Sequence, residues 1–185
     1  MRWLLVLAMV VLLGAPGVAG LDLPPPPSGY LWEQCTDIGG ALLRPEDWSF
    51  RRLSSGGKLA YFITKSAWEP EQPFDVGLTF NVLFDVPSQS GLPPTAFAKR
   101  FVGRAAAVHQ VERTWTNEMG PFKAEGIVYS GRGASRGFKF YNLVIANDKT
   151  GTAYLVIFEA PETSWESEWS VIEPTVKKML IDDVY

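Results

Sequence analysis

The sequence predicts an α+β fold, in which a mostly antiparallel β-sheet is flanked by helices. Residues 76–86 (VGLTFNVLFDV) alternate apolar and polar side chains with the period of a strand that has one buried face. Residues 90–108 change to helical spacing, the chain then returns to strand-like segments, and a second helical pattern ends it. The order strands, helix, strands, helix is the layout expected of an α+β domain.

The first 20 residues have the features of a signal peptide. Arg2 supplies a positive charge, residues 3–13 are uncharged and apolar, and residues 15–20 (APGVAG) predict cleavage after Ala19 or Gly20. A retained membrane anchor is the alternative, but this apolar run is short for a hydrocarbon core about 30 Å thick. We therefore expect a periplasmic or secreted protein, with no transmembrane segment once the leader is removed.

Two further regions follow the leader. Residues 21–29 (LDLPPPPSG) predict a Pro-rich linker, because consecutive prolines favour an extended path that cannot join a sheet interior. Residues 30–185 predict a single α+β domain, long enough to bury a core. The formal net charge of −3 disfavours a nucleic-acid partner, and the lone cysteine, Cys35, excludes an intramolecular disulfide.

The strands are predicted from alternation and from turn residues. A hairpin is expected at residues 48–65, where WSFRRL and KLAYFITK flank the turn SSGG. Later strands are expected in VERTWT, FKAEGIVYS, FKFYNLVIAN and AYLVIFEAP. The unbroken apolar run YLVIF, residues 154–158, predicts a central strand that is covered on both faces.

The first helix is predicted to be amphipathic, with two prolines suited to its first turn. The residues expected on its buried side are Phe97, Phe101, Ala105 and Val108. The residues expected on its basic side are Lys99, Arg100 and Arg104.

The second helix is predicted in ETSWESEWSVIEPTVKKML, residues 162–180. Thr163 and Glu166 fit a capping box, in which the two side chains satisfy backbone N–H groups reciprocally. Glu166 and Glu168 suit the positive end of the helix dipole, and the lysines at 177 and 178 suit its negative end.

The same helix carries an apolar stripe that we expect to pack on the sheet. Its members recur at helical spacing: Trp165, Trp169, Ile172, Val176 and Leu180. Pro174 removes one backbone hydrogen bond and predicts a kink, or a break into two helices.

Acids beside aromatics could also belong to a sugar-cleaving site. Such an enzyme needs two carboxylates that face each other across a cleft. Glu159 and Glu162 lie at a predicted strand end and loop, where such a pair could occur. The capped helix explains the remaining glutamates, so we predict no catalytic residues and keep a carboxylate-dependent hydrolase as an alternative.

Four residues are candidate contacts for a partner or ligand. Trp32 and Trp68 lie in loop-like surroundings, and exposed aromatics are enriched at interfaces, although packing beneath a loop would also explain them. Arg132 and Arg136 lie in SGRGASRG, residues 130–137. Its position between two strands predicts a hairpin tip that contacts an anion or a partner, not a nucleotide fingerprint.

The sequence predicts no metal site and no cofactor. His109 is the only histidine, which excludes a multi-histidine zinc site, and no calcium-loop motif occurs. A dyad of Cys35 and His109 is conceivable but has no local signature. The alternative is a structural His109 just beyond a helix end.

Three segments resemble domains with the Mog1/PsbP-like fold. LLRPEDWSF (42–50) resembles their opening strand, GLTFNVLFDV (77–86) their first long strand, and AYLVIFEAPETSWESEWSVIEPTVKKML (153–180) their closing strand and helix. The resemblance extends from about Gly40 to Ile181. It implies a helix-flanked antiparallel sheet in a binding or assembly factor, not an enzyme. No residue matches the manganese and calcium retention associated with photosystem members.

We therefore expect an exported, non-catalytic factor that binds a protein partner or helps to assemble a complex of the cell envelope. A carrier of a small apolar molecule or lipid is the alternative. It predicts a large apolar pocket beneath the helix of Phe97 and Phe101 or beneath the helix of Trp165 and Trp169.

Overall fold

The computed structural model describes residues 21–55, 57–67, 69, 73–132 and 137–184, with the side chain of Arg132 excepted. Within these residues the strands are β1 (Tyr30–Cys35), β2 (Gly40–Pro45), β3 (Ser49–Ser55), β4 (Lys58–Thr64), β5 (Gly77–Leu83), β6 (Gln110–Met119), β7 (Phe122–Arg132), β8 (Gly137–Asn147) and β9 (Thr152–Pro161). The α-helices are α1 (Val86–Ser90), α2 (Pro94–Val108) and α3 (Trp165–Lys178). None of these helices is long and apolar enough to span a membrane.

Seven of the described strands form one antiparallel sheet, the main sheet, in the order β3-β4-β5-β9-β8-β7-β6. The predicted hairpin at 48–65 is β3 and β4. The last strand in the chain, β9, lies in the middle of the sheet, where Val156 pairs with Phe80 of β5 and Leu143 of β8. The predicted central position of residues 154–158 is therefore confirmed.

The larger core lies between the main sheet and α3. Alternate residues of β5 and β9 point into it, and they include Phe80, Tyr154 and Phe158, each fully buried. A separate hairpin of β1 and β2 packs against α3 and is tied to it by the Tyr30 hydroxyl, which donates to the Val171 carbonyl at 2.6 Å. The aromatic stripe predicted on the last helix does face the sheet, as Trp165 is buried.

A smaller core lies under α2 on the opposite face of the sheet. Ala98 of the helix is fully buried there against Val144, Ala146 and Ala153 of the sheet, with Phe97 and Phe101 at the margin. The placement of Val108 on the buried side was wrong, because its side chain is 75% exposed. The helix ends there and the chain turns away into β6. The basic residues predicted on the outer side are exposed: Lys99, Arg100 and Arg104.

The prediction that β9 is covered on both faces was only half right. Its α3-facing side is fully buried, whereas Leu155, Ile157 and Glu159 on the other side are half-buried. Helix α2 has 15 residues and packs mainly on β7 and β8, so it covers only part of that face.

The end of the chain differs from its prediction in three details. Helix α3 begins one residue later than the Thr163–Glu166 capping box requires: Ser164 is its N-cap and makes no side-chain capping bond. The helix continues through Pro174 as one element, without a break. Leu180 lies beyond the helix, is 40% exposed, and exchanges two backbone hydrogen bonds with Ala41 of β2.

A candidate binding groove

The four sequence-predicted contact residues do not converge on one described site. Trp32 lies in β1, not in a loop, and its indole N–H donates to the Pro24 carbonyl at 2.7 Å. It therefore fixes the Pro-rich segment to the domain. Arg132 ends β7, but its side chain, like Trp68 and Arg136, lies outside the described residues.

The two candidate catalytic carboxylates occupy different surroundings. Glu159 is half-buried on the sheet, and burial raises the pKa of its carboxyl group. Glu162 is exposed and folds over Gly137 beside a cleft of about 490 Å³ that His109 also lines. Among the described residues that line this cleft, Glu159 does not occur. The geometry therefore provides no facing pair of acids across it.

The remaining titratable candidates have structural roles. His109 caps the end of α2 and stacks on the ring of Tyr129, with centroids 4.4 Å apart. Cys35 is fully buried, and burial, followed by the nearby carboxylates of Asp37 and Glu33, raises the pKa of its thiol to about 12. The described residues contain no cluster of three or more metal-binding side chains.

A groove of about 490 Å³ runs between the edge of the main sheet and α3, and we call it the β6–α3 groove. Its lining residues come from β6, β7, β8 and α3: Arg113, Trp115, Asn117, Met119, Ala124, Tyr141, Leu143, Trp169, Glu173, Val176 and Lys177. They are all among the described residues, and aromatic and aliphatic side chains form its floor.

The floor of the groove is a row of packed rings. Trp115 contacts Tyr141 with centroids 5.2 Å apart, and Tyr141 contacts Trp169 at 4.6 Å. Trp169 in turn stacks on Trp165 at 5.8 Å, which anchors the row in the core. Rings held in such a row present a rigid apolar surface, because their rotamers are fixed by their neighbours.

A glycine allows the first ring to lie against the sheet. Gly126 of β7 pairs with Trp115 of β6, and a Cβ atom built on Gly126 would lie 2.1 Å from the indole. Any larger residue would therefore push Trp115 out of the floor. Glycine inside a strand often marks such a close approach.

Charged groups stand at the rim of the groove. The Arg113 guanidinium lies 5.1 Å from the Trp115 ring centroid, a cation–π distance. Lys177 and Glu173 pair along α3 at 3.0 Å. Burial raises the pKa of Tyr141 to about 12, with Arg113 opposing and Glu173 adding to the shift. The phenol therefore stays protonated and able to donate a hydrogen bond at neutral pH.

The sequence alone could not reveal this groove. Trp115 was placed correctly in a strand and Trp169 in a helix, but nothing in their spacing brings the two together. The pairing of β6 with β7 and the docking of α3 on β9 do so. Gly126 is the one local signal, because a glycine within an alternating strand predicts close approach of another group.

The arrangement described above is the Mog1/PsbP-like fold, as the sequence resemblance predicted. The chain resembles cyanobacterial PsbP from Synechocystis, with 16% identity, a TM-score of 0.52, and coverage of 92% of this chain and 99% of that one. It also resembles the Ran-binding protein Mog1p of Saccharomyces cerevisiae, with 8% identity, a TM-score of 0.53, and coverage of 84% and 96%.

A third similar structure is LpqN, which is involved in cell envelope biogenesis of Mycobacterium tuberculosis. Its identity is 11% and its TM-score 0.51, with coverage of 76% of this chain and 82% of that one. No protein-family profile matches the sequence, and no curated protein matches it either. At these identities the likeness establishes the fold, so function has to be argued from the groove.

Proposed function

We propose that this protein is an exported binding or assembly factor of the cell envelope, which docks a protein partner in the β6–α3 groove. The observation that carries the proposal is the row of rings at a sheet edge, bordered by Arg113 and the Glu173–Lys177 pair. Buried aromatic anchors within a charged rim are the usual composition of a protein interface, where Trp, Tyr and Arg dominate the binding energy.

Two further points support this proposal. Among proteins of this fold, one is named for binding Ran and another is involved in cell envelope biogenesis. The first 20 residues also have the features of a leader, and export would bring the domain to the envelope.

The location is tested by expressing the full chain with a C-terminal tag in its native host. We expect the tagged protein outside the cytoplasm, with a mass that corresponds to cleavage after Ala19 or Gly20. Recovery of the uncleaved chain from the cytoplasm would contradict export.

The binding site is tested by site-specific photocrosslinking in the same cells. A photoreactive amino acid at Asn117, in the groove, should crosslink to a protein, whereas the same amino acid at Arg100, exposed on α2, should not. Trp169→Ala should remove the crosslink, and circular dichroism and thermal unfolding of the purified variant separate loss of the contact from loss of the fold. Equal crosslinking at both positions, or none at Asn117, would contradict a protein partner in the groove.

The carrier alternative gives a different result in a separate measurement. It predicted a large apolar pocket beneath one of the two long helices, but the pocket beside Ala98 of α2 is only about 130 Å³ and is lined mostly by polar and charged side chains. The space beside Trp169 is an open groove. Native mass spectrometry of the purified mature protein should therefore show the polypeptide mass alone, and a co-purified lipid would favour the carrier.

A further inference from the structure

Strand β6 forms one edge of the main sheet. It has ten residues and pairs with β7 on one side only, within the part of the chain that the structure describes. Nine of the ten residues are exposed and Trp115 is half-buried. Alternate residues of such an edge direct their backbone N–H and C=O groups away from the sheet, where they can pair with another extended chain.

The two faces of this edge differ in chemistry. Arg113, Trp115 and Asn117 face α3 and line the β6–α3 groove. Thr116 and Glu118 face the opposite side, towards α2. A strand added along β6 would therefore direct alternate side chains into the groove. The side chains between them would lie on the α2 side of the sheet, beside Thr116 and Glu118.

The charges on the edge are not equally neutralised. Glu112 is paired with Lys139, and Glu118 lies 3.8 Å from Lys123. Arg113 is exposed and touches the Trp115 ring, but no carboxylate of the described residues lies within ion-pairing distance of it. Among the described residues, the groove face of the edge therefore offers one cation, Arg113, that no carboxylate neutralises by an ion pair.

A second copy of the chain fits this edge poorly. Two copies joined antiparallel across a two-fold axis would keep the same face of the sheet on the same side. Arg113 would then meet groove-facing residues of the copy. Of the two carboxylates in β6, Glu112 on that side is already held by Lys139, and Glu118 points to the other face.

We propose that the partner docks as an extended segment, which pairs with β6 and becomes the eighth strand of the main sheet. One of its carboxylates meets Arg113, and an apolar side chain two residues away enters the groove over Trp115 and Trp169. The main-chain hydrogen bonds supply affinity, and the alternate side chains supply specificity. This inference rests on the proposed function, because it names the chemistry of the partner in the same groove.

The test uses a peptide display library, randomised over nine residues and selected on the mature wild-type protein. We expect enrichment of Asp or Glu two residues from a large apolar residue. For a synthesised peptide from this selection, Arg113→Glu should weaken binding at least about tenfold, as expected for a charge reversal at a central contact. The control Arg100→Glu makes the same charge change on α2 and should leave affinity unchanged.

Strand addition has a signature that charge reversal does not test. Methylation of single peptide amides should weaken binding at every second residue and be tolerated between, because only alternate amides face β6. Three results would overturn the inference. They are N-methylation effects that do not alternate along the peptide, a selected peptide whose affinity is unchanged by Arg113→Glu, and a selection that gives no peptide with a Kd below about 100 µM.

Failure of strand addition can be distinguished from failure of the proposed function. If the photocrosslink at Asn117 forms but the period-two pattern does not, the partner binds in the groove by another mode. If no crosslink forms, the proposed function itself fails. Thermal unfolding of Arg113→Glu beside Arg100→Glu distinguishes lost contact from lost fold.

Discussion

Replacement of Gly126 by alanine tests whether the floor of the groove is built as described. A strand glycine normally gains stability from this change, by about 0.5–1 kcal/mol, because alanine loses less conformational freedom on folding. Here the new Cβ would lie 2.1 Å from two atoms of the Trp115 ring. The ring must move, since a contact that short does not exist in proteins.

The cost of that movement exceeds the gain. Displacement of Trp115 breaks its contact with Tyr141, worth about 0.5–1.5 kcal/mol, and overpacking adds about 1–3 kcal/mol. Trp115 is half-buried, so the ring can swing outward and the lower end of this range applies. We expect Gly126→Ala to destabilise the domain by about 1–2 kcal/mol, which lowers the melting temperature by roughly 2–8 °C for a domain of this size.

Gly103→Ala is the matched control. Gly103 is an exposed residue of α2, and a Cβ atom there would meet no atom within 4 Å. Because alanine is a better helix former, this variant should be more stable by up to about 1 kcal/mol. Thermal and urea unfolding of the mature protein measure both. A Gly126→Ala variant as stable as wild type would refute the packing of Trp115 on the sheet.

Three further predictions concern residues outside the groove. Cys35 should resist alkylation at pH 8 in the native state and react on unfolding, because its thiol pKa of about 12 leaves roughly one thiolate in ten thousand; rapid native labelling would contradict its burial. Arg52, then Tyr61, lower the Asp37 pKa from 3.8 to about 2, so Asp37 contributes stability above pH 3.8 that is lost as the pH falls towards 2. Urea unfolding should show this acid-dependent loss in wild type and a smaller one in Asp37→Asn. Lys65 pairs with the buried Glu168 at 2.5 Å, so Lys65→Met should cost about 1–2 kcal/mol in unfolding free energy, whereas an unchanged value would mean that solvent replaces the pair.

Local patterns predicted most of the fold because its strands and helices have clear periods. Phe80 and Val82 alternate with polar residues in the sequence and are buried in β5, as expected. Errors came where an element ends. Val108 and Leu180 continued an apolar stripe by spacing alone, but the backbone leaves the helix at or before each of them. Periodicity describes the inside of an element and carries little information about its ends.

The site was harder to predict than the fold because it depends on contacts between distant segments. Trp32 was selected for its loop-like surroundings, yet it is a strand residue that holds Pro24. Trp115 falls within the predicted strand VERTWT and is not among the candidate contacts, yet its ring lines the groove. Whether an aromatic side chain anchors the chain or faces a partner is decided by sheet order and helix docking, which a single sequence does not display.

The central position of β9 affects the order in which the domain can fold. In the described sheet, β3–β5 and β6–β8 each make an antiparallel half-sheet, and β9 (Thr152–Pro161) joins the two. When the chain is synthesised from its N-terminus, the two half-sheets therefore stay unjoined until β9 has been made. Contacts this far apart in sequence slow folding, so the polypeptide stays extended for longer. Under the export proposed above, late closure of the sheet would keep the chain extended for its passage through a membrane. Truncation before residue 150 would remove the middle of the sheet, not its edge.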